Sequence, residues 1–281
     1  MLTEKQLFEI HSLQHICEET ENINLKLNWD TLKSRPAGNE NDYFQYDNSG
    51  NLLGYLALYN FGGPVELCGM VHPNHRRKGI FSSLFNQAAK QLALARKLLI
   101  NAPASSQSAK GYLKSIPCIY SFSEYQMKRH KSTKIGTANP EVTLRQAVGS
   151  DLSFINYLDT ACFEIPKDEA EAFNNNIFDC ENERTFIIEY KSEKAGKIRI
   201  QREKDAAWIY GFAVDPSFQG KGIGRGALTN AVNLENSKGV NWVHLEVAAK
   251  NDHALSLYKS CGFEPYGTQD YYEYDLNTLK I

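Results

Sequence analysis

No run in the 281 residues reaches the ~18 consecutive apolar side chains that a membrane-crossing helix needs. The N-terminal MLTEKQLFEIHSLQHI mixes polar and apolar residues and lacks the basic-then-apolar order of a secretory signal. A cytoplasmic protein with no membrane partner is therefore expected. No two of the six cysteines (Cys17, Cys68, Cys118, Cys162, Cys180, Cys261) form a CxxC pair. That spacing argues against a zinc knuckle or a disulfide framework, predicts no metal, and suits a reducing compartment. Neither sign of charge is in excess: 31 Lys plus Arg face 33 Asp plus Glu, a net charge of −2. Such a chain has no overall electrostatic footprint for nucleic acid.

What is present supports packed cores. Hydrophobic residues make up 42% of the chain, and at ~150 residues per domain the length suits roughly two domains. The charge is unevenly spread. Residues 1–140 hold 16 basic and 11 acidic side chains, whereas residues 141–281 hold 15 and 22. Opposite halves can attract each other, serve different ligands, or simply be solvated surfaces. The boundary is expected in HKSTKIGTANP (130–140), which is polar, aperiodic and contains Gly136 and Pro140. After it, EVTLRQAV alternates like a strand. SDLSFINYLDTACF then sets Phe154, Ile155, Leu158 and Cys162 at helical spacing, with Ser150 as the expected N-cap.

The chain repeats itself. GMVHPNHRRKGIFSSLFNQAAKQL in the first half matches GFAVDPSFQGKGIGRGALTNAV in the second. Val71 aligns with Val214, Pro73 with Pro216, Lys78 with Lys221, Gly79 with Gly222 and Ile80 with Ile223, at a constant offset of 143. Apolar, aromatic-rich runs precede each motif (LLGYLALYNF and VELCGMV; TFIIEY and AAWIYGFAV) and read as antiparallel strands. An amphipathic helix follows each, then another apolar strand, KLLIN or WVHLEV. The unit is strands, glycine turn, helix, strand, helix, strand, twice.

The second glycine turn, Gln219-Gly220-Lys221-Gly222-Ile223-Gly224, opens a helix. Glycines there let the backbone approach a bulky anion, and the amides up to Arg225 point at it with the helix dipole behind them. A P-loop requires Ser or Thr after the GK pair, but Lys221 is followed by Gly222. A dinucleotide fingerprint fits only if forced onto Gly222, Gly224 and Ala227, with a Pro-containing segment between it and its strand. A helix that merely starts in a glycine turn is the bland alternative.

The pattern V-x-P-x-x-Q-G-x-G-I-G is followed ~25 residues on by Leu245-Glu246-Val247, Asn251, Ala254, Leu257-Tyr258 and Gly262-Phe263. Together these resemble the GCN5-related N-acetyltransferase (GNAT) family. The likeness is clear over residues 142–275 and weaker over 1–130, so the chain resembles a tandem GNAT protein. It implies an α+β fold of two GNAT-like domains, each a mixed, mostly antiparallel sheet flanked by helices. The expected partition is a degenerate copy at 1–132, a linker at 133–141 and a catalytic domain at 142–281.

The resemblance also implies roles. The arm of acetyl-CoA would lie along Phe212, Ala213 and Val214. The diphosphate would sit on Gln219, Gly220, Lys221, Gly222, Ile223, Gly224 and Arg225, and Asn251 would contact the arm near the thioester. Tyr258 matches the residue that protonates the departing thiolate. A phenol near pKa ~10 is still protonated at neutral pH, when a thiol near ~8.5 is leaving; packing beside Phe263 is the alternative role for its ring. Glu246 is the candidate base, with a structural carboxylate as its alternative. The LEV-x-x-x-N spacing resembles that of ribosomal-protein alanine N-acetyltransferases. The expected activity is acetyl transfer from acetyl-CoA to a primary amine by direct attack in a ternary complex. A non-catalytic acyl-CoA-binding sensor is the alternative, and a monomer is expected.

The first half departs from the pattern. Val71, Arg76, Arg77, Lys78, Gly79 and Ile80 form a candidate second CoA site, but Phe81 replaces the second glycine. At an offset of 145, Asn101 stands for Glu246, Ser106 for Asn251 and Leu113 for Tyr258, so this copy is expected to be inactive. His72 and His75 lack further ligands for a metal. His244 shares a strand face with Glu246 and reads as a partly exposed histidine or a proton relay. Glu164, Asp168, Glu169 and Glu171 read as a solvated face or an acidic acceptor lining.

Overall fold

The computed structural model describes residues 1–279 apart from 37, 62, 94, 96 and 179–182, and only the backbone of Lys90. Cys180 thus lies outside the described residues. In chain order the first half runs α1 (Glu4–Glu21), α2 (Trp29–Ser34), β1 (Asp42–Tyr46), β2 (Leu52–Asn60), β3 (Val65–Val71), α3 (Ile80–Leu92), β4 (Leu98–Pro103), α4 (Gln107–Leu113) and β5 (Cys118–His130). The second half runs β6 (Val142–Gln146), α5 (Leu152–Phe163), α6 (Lys167–Ile177), β7 (Glu183–Tyr190), β8 (Glu193–Glu203), β9 (Ala206–Val214), α7 (Ile223–Ser237), β10 (Trp242–Ala248), α8 (Asp252–Ser260) and β11 (Glu264–Tyr274). No described helix is long and apolar enough to cross a membrane.

The chain forms two compact units. Unit 1 is Met1–Ser123 with Gly267–Ile281, and unit 2 is Glu124–Tyr266. These differ from the contiguous partition expected at 133–141. Residues 131–141 do lack helix and strand, but the chain crosses between units inside two strands. From Glu124 to His130, β5 pairs with β10, whereas from Gln269 to Tyr274, β11 pairs with β4. A composition break marks a coil; it says nothing of which strand a neighbouring segment will pair with.

In unit 1 the strands run β1-β2-β3-β4-β11, antiparallel except for the parallel β3/β4 pair. Thr3 starts α1 with a reciprocal capping box to Gln6. One sheet face receives Ile10, Leu13 and Cys17 of α1, packed with Tyr55, Tyr59 and Met70. The other receives Leu84, Phe85, Ala88 and Leu92 of α3, with the partly buried Phe81 packed against them, the apolar face of the amphipathic helix expected after the first motif. At ~1.5–3 kcal/mol for each large side chain removed from water, this stripe fixes α3 against the strands.

In unit 2 the order is β5-β10-β9-β8-β7-β6, again antiparallel except for the parallel β9/β10 pair. Ile223, Ala227, Leu228, Ala231 and Val232 of α7 pack with Val243, Leu245 and Val247 of β10 and with Tyr258 of α8. On the opposite face Ile155 of α5 meets Ile187 of β7. Ser150 is not the N-cap of α5: it sits inside the short 3-10 turn Gly149–Asp151. Asp151 precedes α5 instead, its carboxylate claimed by Arg145, Lys194 and the Val148 amide.

Candidate active site

The site in unit 2 begins as a fork. Parallel pairing of β9 with β10 runs from Ala206/Trp242 to Ile209/Leu245 and stops. There β9 carries a bulge: its register on β8 shifts between Lys197 and Arg199, and Gly211 takes φ +51°. The bulge bends Phe212, Ala213 and Val214 away from β10, while β8 still holds their outer edge, Gly196 opposite Val214.

Beyond Val214 the chain makes a 3-10 turn, Pro216–Phe218, capped by the Asp215 carboxylate on the Ser217 amide at 2.8 Å. Gln219 Nε2 folds back and donates to the Val214 carbonyl at 3.0 Å, and Lys221 Nζ donates to the Ser217 carbonyl at 3.3 Å. Gly220 and Gly222 stand at φ +78° and +75°, a region closed to most side chains. Gly222 is the N-cap of α7 and offers no side chain. The first intrahelical bond is Gly226 N to Gly222 O, so the amides of Ile223, Gly224 and Arg225 have no helical acceptor. Ile223 is buried, Gly224 half-buried, and Gln219, Gly220, Lys221, Gly222 and Arg225 are exposed. This is an open cradle of amides at a helix N-terminus, with two exposed cations, Lys221 and Arg225, in the same segment.

Tyr258 lies in the same core as the start of α7, with its ring centroid 6.4 Å from that of Phe212 and 6.1 Å from that of Phe263. It is 8% exposed, and burial pushes its phenol up to about 12. Arg129, fully buried on β5, donates to the carbonyls of Cys261 and Thr133, and so fixes the end of α8 that carries Tyr258. Asn251 is exposed and spends its Oδ1 on capping α8 through the Ala254 amide at 3.0 Å. Glu246 is half-buried and accepts from Gln126 Nε2 at 3.3 Å. Leu245 and Val247 share the core with Tyr258, so strand alternation puts Glu246 on the opposite face. Carboxylate and phenol thus flank the fork from its two sides.

Two groups read in the sequence, His244 and the acidic cluster, and one that went unread, Lys197 with Asp159, can now be placed. His244 stacks on Trp208 at 4.5 Å and meets Tyr266 edge-on at 5.9 Å. Its Nδ1 is buried without a partner among the described residues. Burial, then the Lys128 ammonium, push its pKa down to about 4, so it is a neutral imidazole rather than a solvated one. Lys197 and Asp159 form a buried ion pair at 2.5 Å, with Asn174 Nδ2 donating to Asp159 at 2.7 Å. Burial lowers the Lys197 pKa and the Asp159 carboxylate opposes that shift. A lysine in a strand reads as a solvent-facing position, so nothing local announced the pair. The acidic group is simpler: Asp168 and Glu169 lie in the first turn of α6, where the helix dipole favours them.

Unit 1 repeats the fork. Pairing of β3 with β4 ends at Leu67/Ile100, and both strands run on, to Val71 and Pro103. Arg76 Nε donates to the Val71 carbonyl at 3.0 Å and Lys78 Nζ to the Asn74 carbonyl at 3.2 Å, as Gln219 and Lys221 do in unit 2. His72 caps the Asn74 amide as Asp215 caps Ser217. Gly79 stands at φ +77° as N-cap of α3, with Ile80 as its first residue. Cys17 Sγ approaches the Val71 carbonyl at 3.5 Å, as Cys162 Sγ approaches Val214 at 3.8 Å.

Comparison with known proteins adds to this geometry. Residues 152–263 match the profile of the acetyltransferase (GNAT) family. A ribosomal-protein alanine N-acetyltransferase of Salmonella typhimurium is 42% identical over 59 residues, 21% of this chain and 40% of that protein. The chain therefore spans about two fifths of that relative's length. A GCN5-related N-acetyltransferase structure from Sphaerobacter thermophilus superimposes with a TM-score of 0.80 at 18% identity, covering 95% of this chain and 92% of the other. A tandem GNAT protein from the clavulanic acid biosynthesis pathway gives 0.68 at 15% identity, over 99% and 97%. At these identities the two structures speak to the fold, which is that of two GNAT-like domains.

Proposed function

Since residues 152–263 are a domain of the GNAT family, we propose that unit 2 transfers an acetyl group from acetyl-CoA to a primary amine. The observation that carries this reading is the fork itself: an amide cradle at its mouth, a buried phenol on one face and a carboxylate on the other. The diphosphate takes the amides of Gly220 to Arg225. The amide-bearing arm runs along the free inner edge of Phe212 to Val214, where backbone N–H groups also polarise the thioester carbonyl. Asn251 keeps its Nδ2 for the arm.

The amine enters from the Glu246 face. An ammonium of pKa ~10.4 is neutral in about one part in a thousand near pH 7.5, whereas an α-amine near ~8 is far less penalised. Glu246, directly or through a water, takes the proton as the N–C bond forms. The C–S bond breaks towards the other face, and Tyr258 hands its proton to the thiolate. A phenol held well above the thiol's pKa keeps that proton until sulfur needs it.

The test is thiol release from acetyl-CoA against a panel of amines, including peptides with free N-termini. Amine-dependent release that falls in Glu246→Gln is expected. A chain that binds acetyl-CoA yet releases no thiol with any amine would be a sensor and not a transferase.

A further inference from the structure

Leu245 of β10, Ile209 of β9 and Met127 of β5 all belong to the core beneath α7. Strand alternation therefore turns His244 and Glu246, Trp208 and Tyr210, and Gln126 and Lys128 to the opposite face. A row of rings stands there. Trp208 and His244 share a rung of the parallel pair and stack at 4.5 Å. Tyr210 extends the row along β9, 6.3 Å from Trp208 with the ring planes 11° apart, and Tyr266 meets His244 edge-on at 5.9 Å. All four are half-buried, so the row is neither core nor open surface. The Nδ1 of His244 lies in it without a partner among the described residues, which is costly unless a ligand's donor reaches it.

Opposite charges bracket the row. Gln126 lies across from Glu246 and Lys128 across from His244, so Lys128 is the diagonal neighbour of Glu246, ~7–8 Å away along the sheet. The Lys128 ammonium stands over the rings of Trp242 and Tyr266 at 5.0 and 5.2 Å. Arg199, at the β8 end of the row, is already held between the rings of Phe173 and Tyr210 and lies 3.5 Å from the Glu183 carboxylate. Unit 1 lacks the whole set. Its equivalent rung, one before the last parallel pairing, holds Glu66 and Leu99. Glu273 lies across from Leu99 where Lys128 lies across from His244, and it pairs with Lys97 at 2.6 Å. Asn101 stands where Glu246 does, 6% exposed, with neither its Oδ1 nor its Nδ2 partnered among the described residues. Rings, cation and carboxylate are thus present together in one unit and missing together in the other. Rings that only stiffened a sheet would serve both units alike; rings that serve the carboxylate would not.

We propose that the amine acceptor of unit 2 is an aromatic α-amino acid, its ring on Trp208 and His244, its amine at Glu246 and its carboxylate at Lys128. This names the substrate of the transfer proposed above and rests on that reading. The amine and carboxylate of an α-amino acid share one carbon, and side chains as long as Glu and Lys reach both from diagonal positions. A flat ring meets flat rings in the offset or edge-on contacts that aromatic pairs prefer. An aliphatic amine leaves the row uncovered, and an aromatic amine without a carboxylate leaves Lys128 unused. In the transfer the amine nitrogen bonds to the acetyl carbon as the C–S bond breaks, its proton passes to Glu246, and Tyr258 protonates the sulfur. The product is an N-acetyl amino acid. Its nitrogen no longer carries a charge for Glu246, so it is held less tightly than the substrate.

Calorimetric titration of the full chain with phenylalanine, in the presence of coenzyme A, tests this beside three probes that each lack one part. Alanine lacks the ring, phenethylamine the carboxylate and 3-phenylpropionate the amine. Phenylalanine is expected to bind at least tenfold more tightly than each of them. Trp208→Ala should weaken phenylalanine at least tenfold and alanine by less than about threefold. Lys128→Met should weaken phenylalanine at least tenfold and leave phenethylamine within about threefold. Methionine keeps an apolar stem over the two rings, so this variant reports the carboxylate contact even if Trp208→Ala misfolds. Any of the three probes binding as tightly as phenylalanine, or no binding of phenylalanine, overturns the proposal. Thiol release from acetyl-CoA then separates it from the reading it rests on. Release that ranks the amines as binding does upholds both. Phenylalanine binding with the expected ranking but without release upholds the acceptor site and sinks the transfer. Release indifferent to ring and carboxylate sinks the acceptor site and leaves the transfer in place.

Discussion

The two forks share a frame and diverge in what lines it. Both end their parallel pairing at the same rung, both tie the last strand carbonyl to a turn side chain, and both start a helix on a left-handed glycine. The turn persists in unit 1 even where glycine has gone: Arg77, aligned with Gly220, takes φ +62°, at a cost of roughly 1–2 kcal/mol for an L side chain. The carboxylate and the phenol that flank the unit 2 fork have no such hold on unit 1. The bulge at Gly211 is absent there too, β2 and β3 pairing without a register shift. The geometry of the turn and the side chains that flank the fork can therefore part company in one chain.

The sharpest break in the comparison is expected at Lys197. By register it matches Tyr55, an uncharged phenol that donates to the Asp42 carboxylate at 2.5 Å. Lys197→Met leaves Asp159 buried and unpaired, and should cost about 3–5 kcal/mol in denaturant unfolding. A loss under about 1 kcal/mol would mean that the pair is solvated. Next comes Tyr258→Phe, which should slow turnover at least tenfold with coenzyme A affinity within a few-fold. Tyr112→Phe, beside the corresponding position in unit 1, should leave the rate alone. Equal effects would erase the division of labour between the units.

A smaller effect attaches to His244. Its folded pKa of about 4 lies below the ~6.5 of an unfolded histidine, so the unfolded chain binds the extra proton between these values. Its contribution is complete above about pH 6.5 and is lost as pH falls towards 4, roughly 1–2 kcal/mol after allowing for partial exposure. His244→Gln should flatten that acid limb, and an unchanged limb would place the titration elsewhere. The smallest effect is reciprocal. Arg77→Gly should stabilise the chain by up to about 1 kcal/mol and Gly220→Arg should destabilise it by a similar amount, read from thermal unfolding.

What could be read in advance follows from how far each cause reaches along the chain. The turn was legible because a left-handed backbone leaves its mark in the residue itself, at Gly222 and Gly79. Tyr258 was named through the family resemblance, which the order Leu245-Glu246-Val247, Asn251, Leu257-Tyr258 carries. Asn101 was read only as the loss of Glu246; that its amide would be buried and unpaired depends on α1 and on both strands. The repeat extends further than it was read, since Cys17 and Cys162 are themselves equivalent, though in the sequence they look scattered. Partners separated by the whole fold left no local mark, as with Lys197 and Asp159, or β11 and β4.

The allocation of β11 to unit 1 bears on how the protein is made. A nascent chain releases α1 to α4 first, yet the edge of β4 that faces away from β3 has nothing to pair with until Gln269 to Tyr274 leave the ribosome. The half that is translated first is thus the last that can finish its sheet. A stop codon only a few positions upstream of Gln269 would leave that edge bare, at the far end of the gene from the strand it exposes.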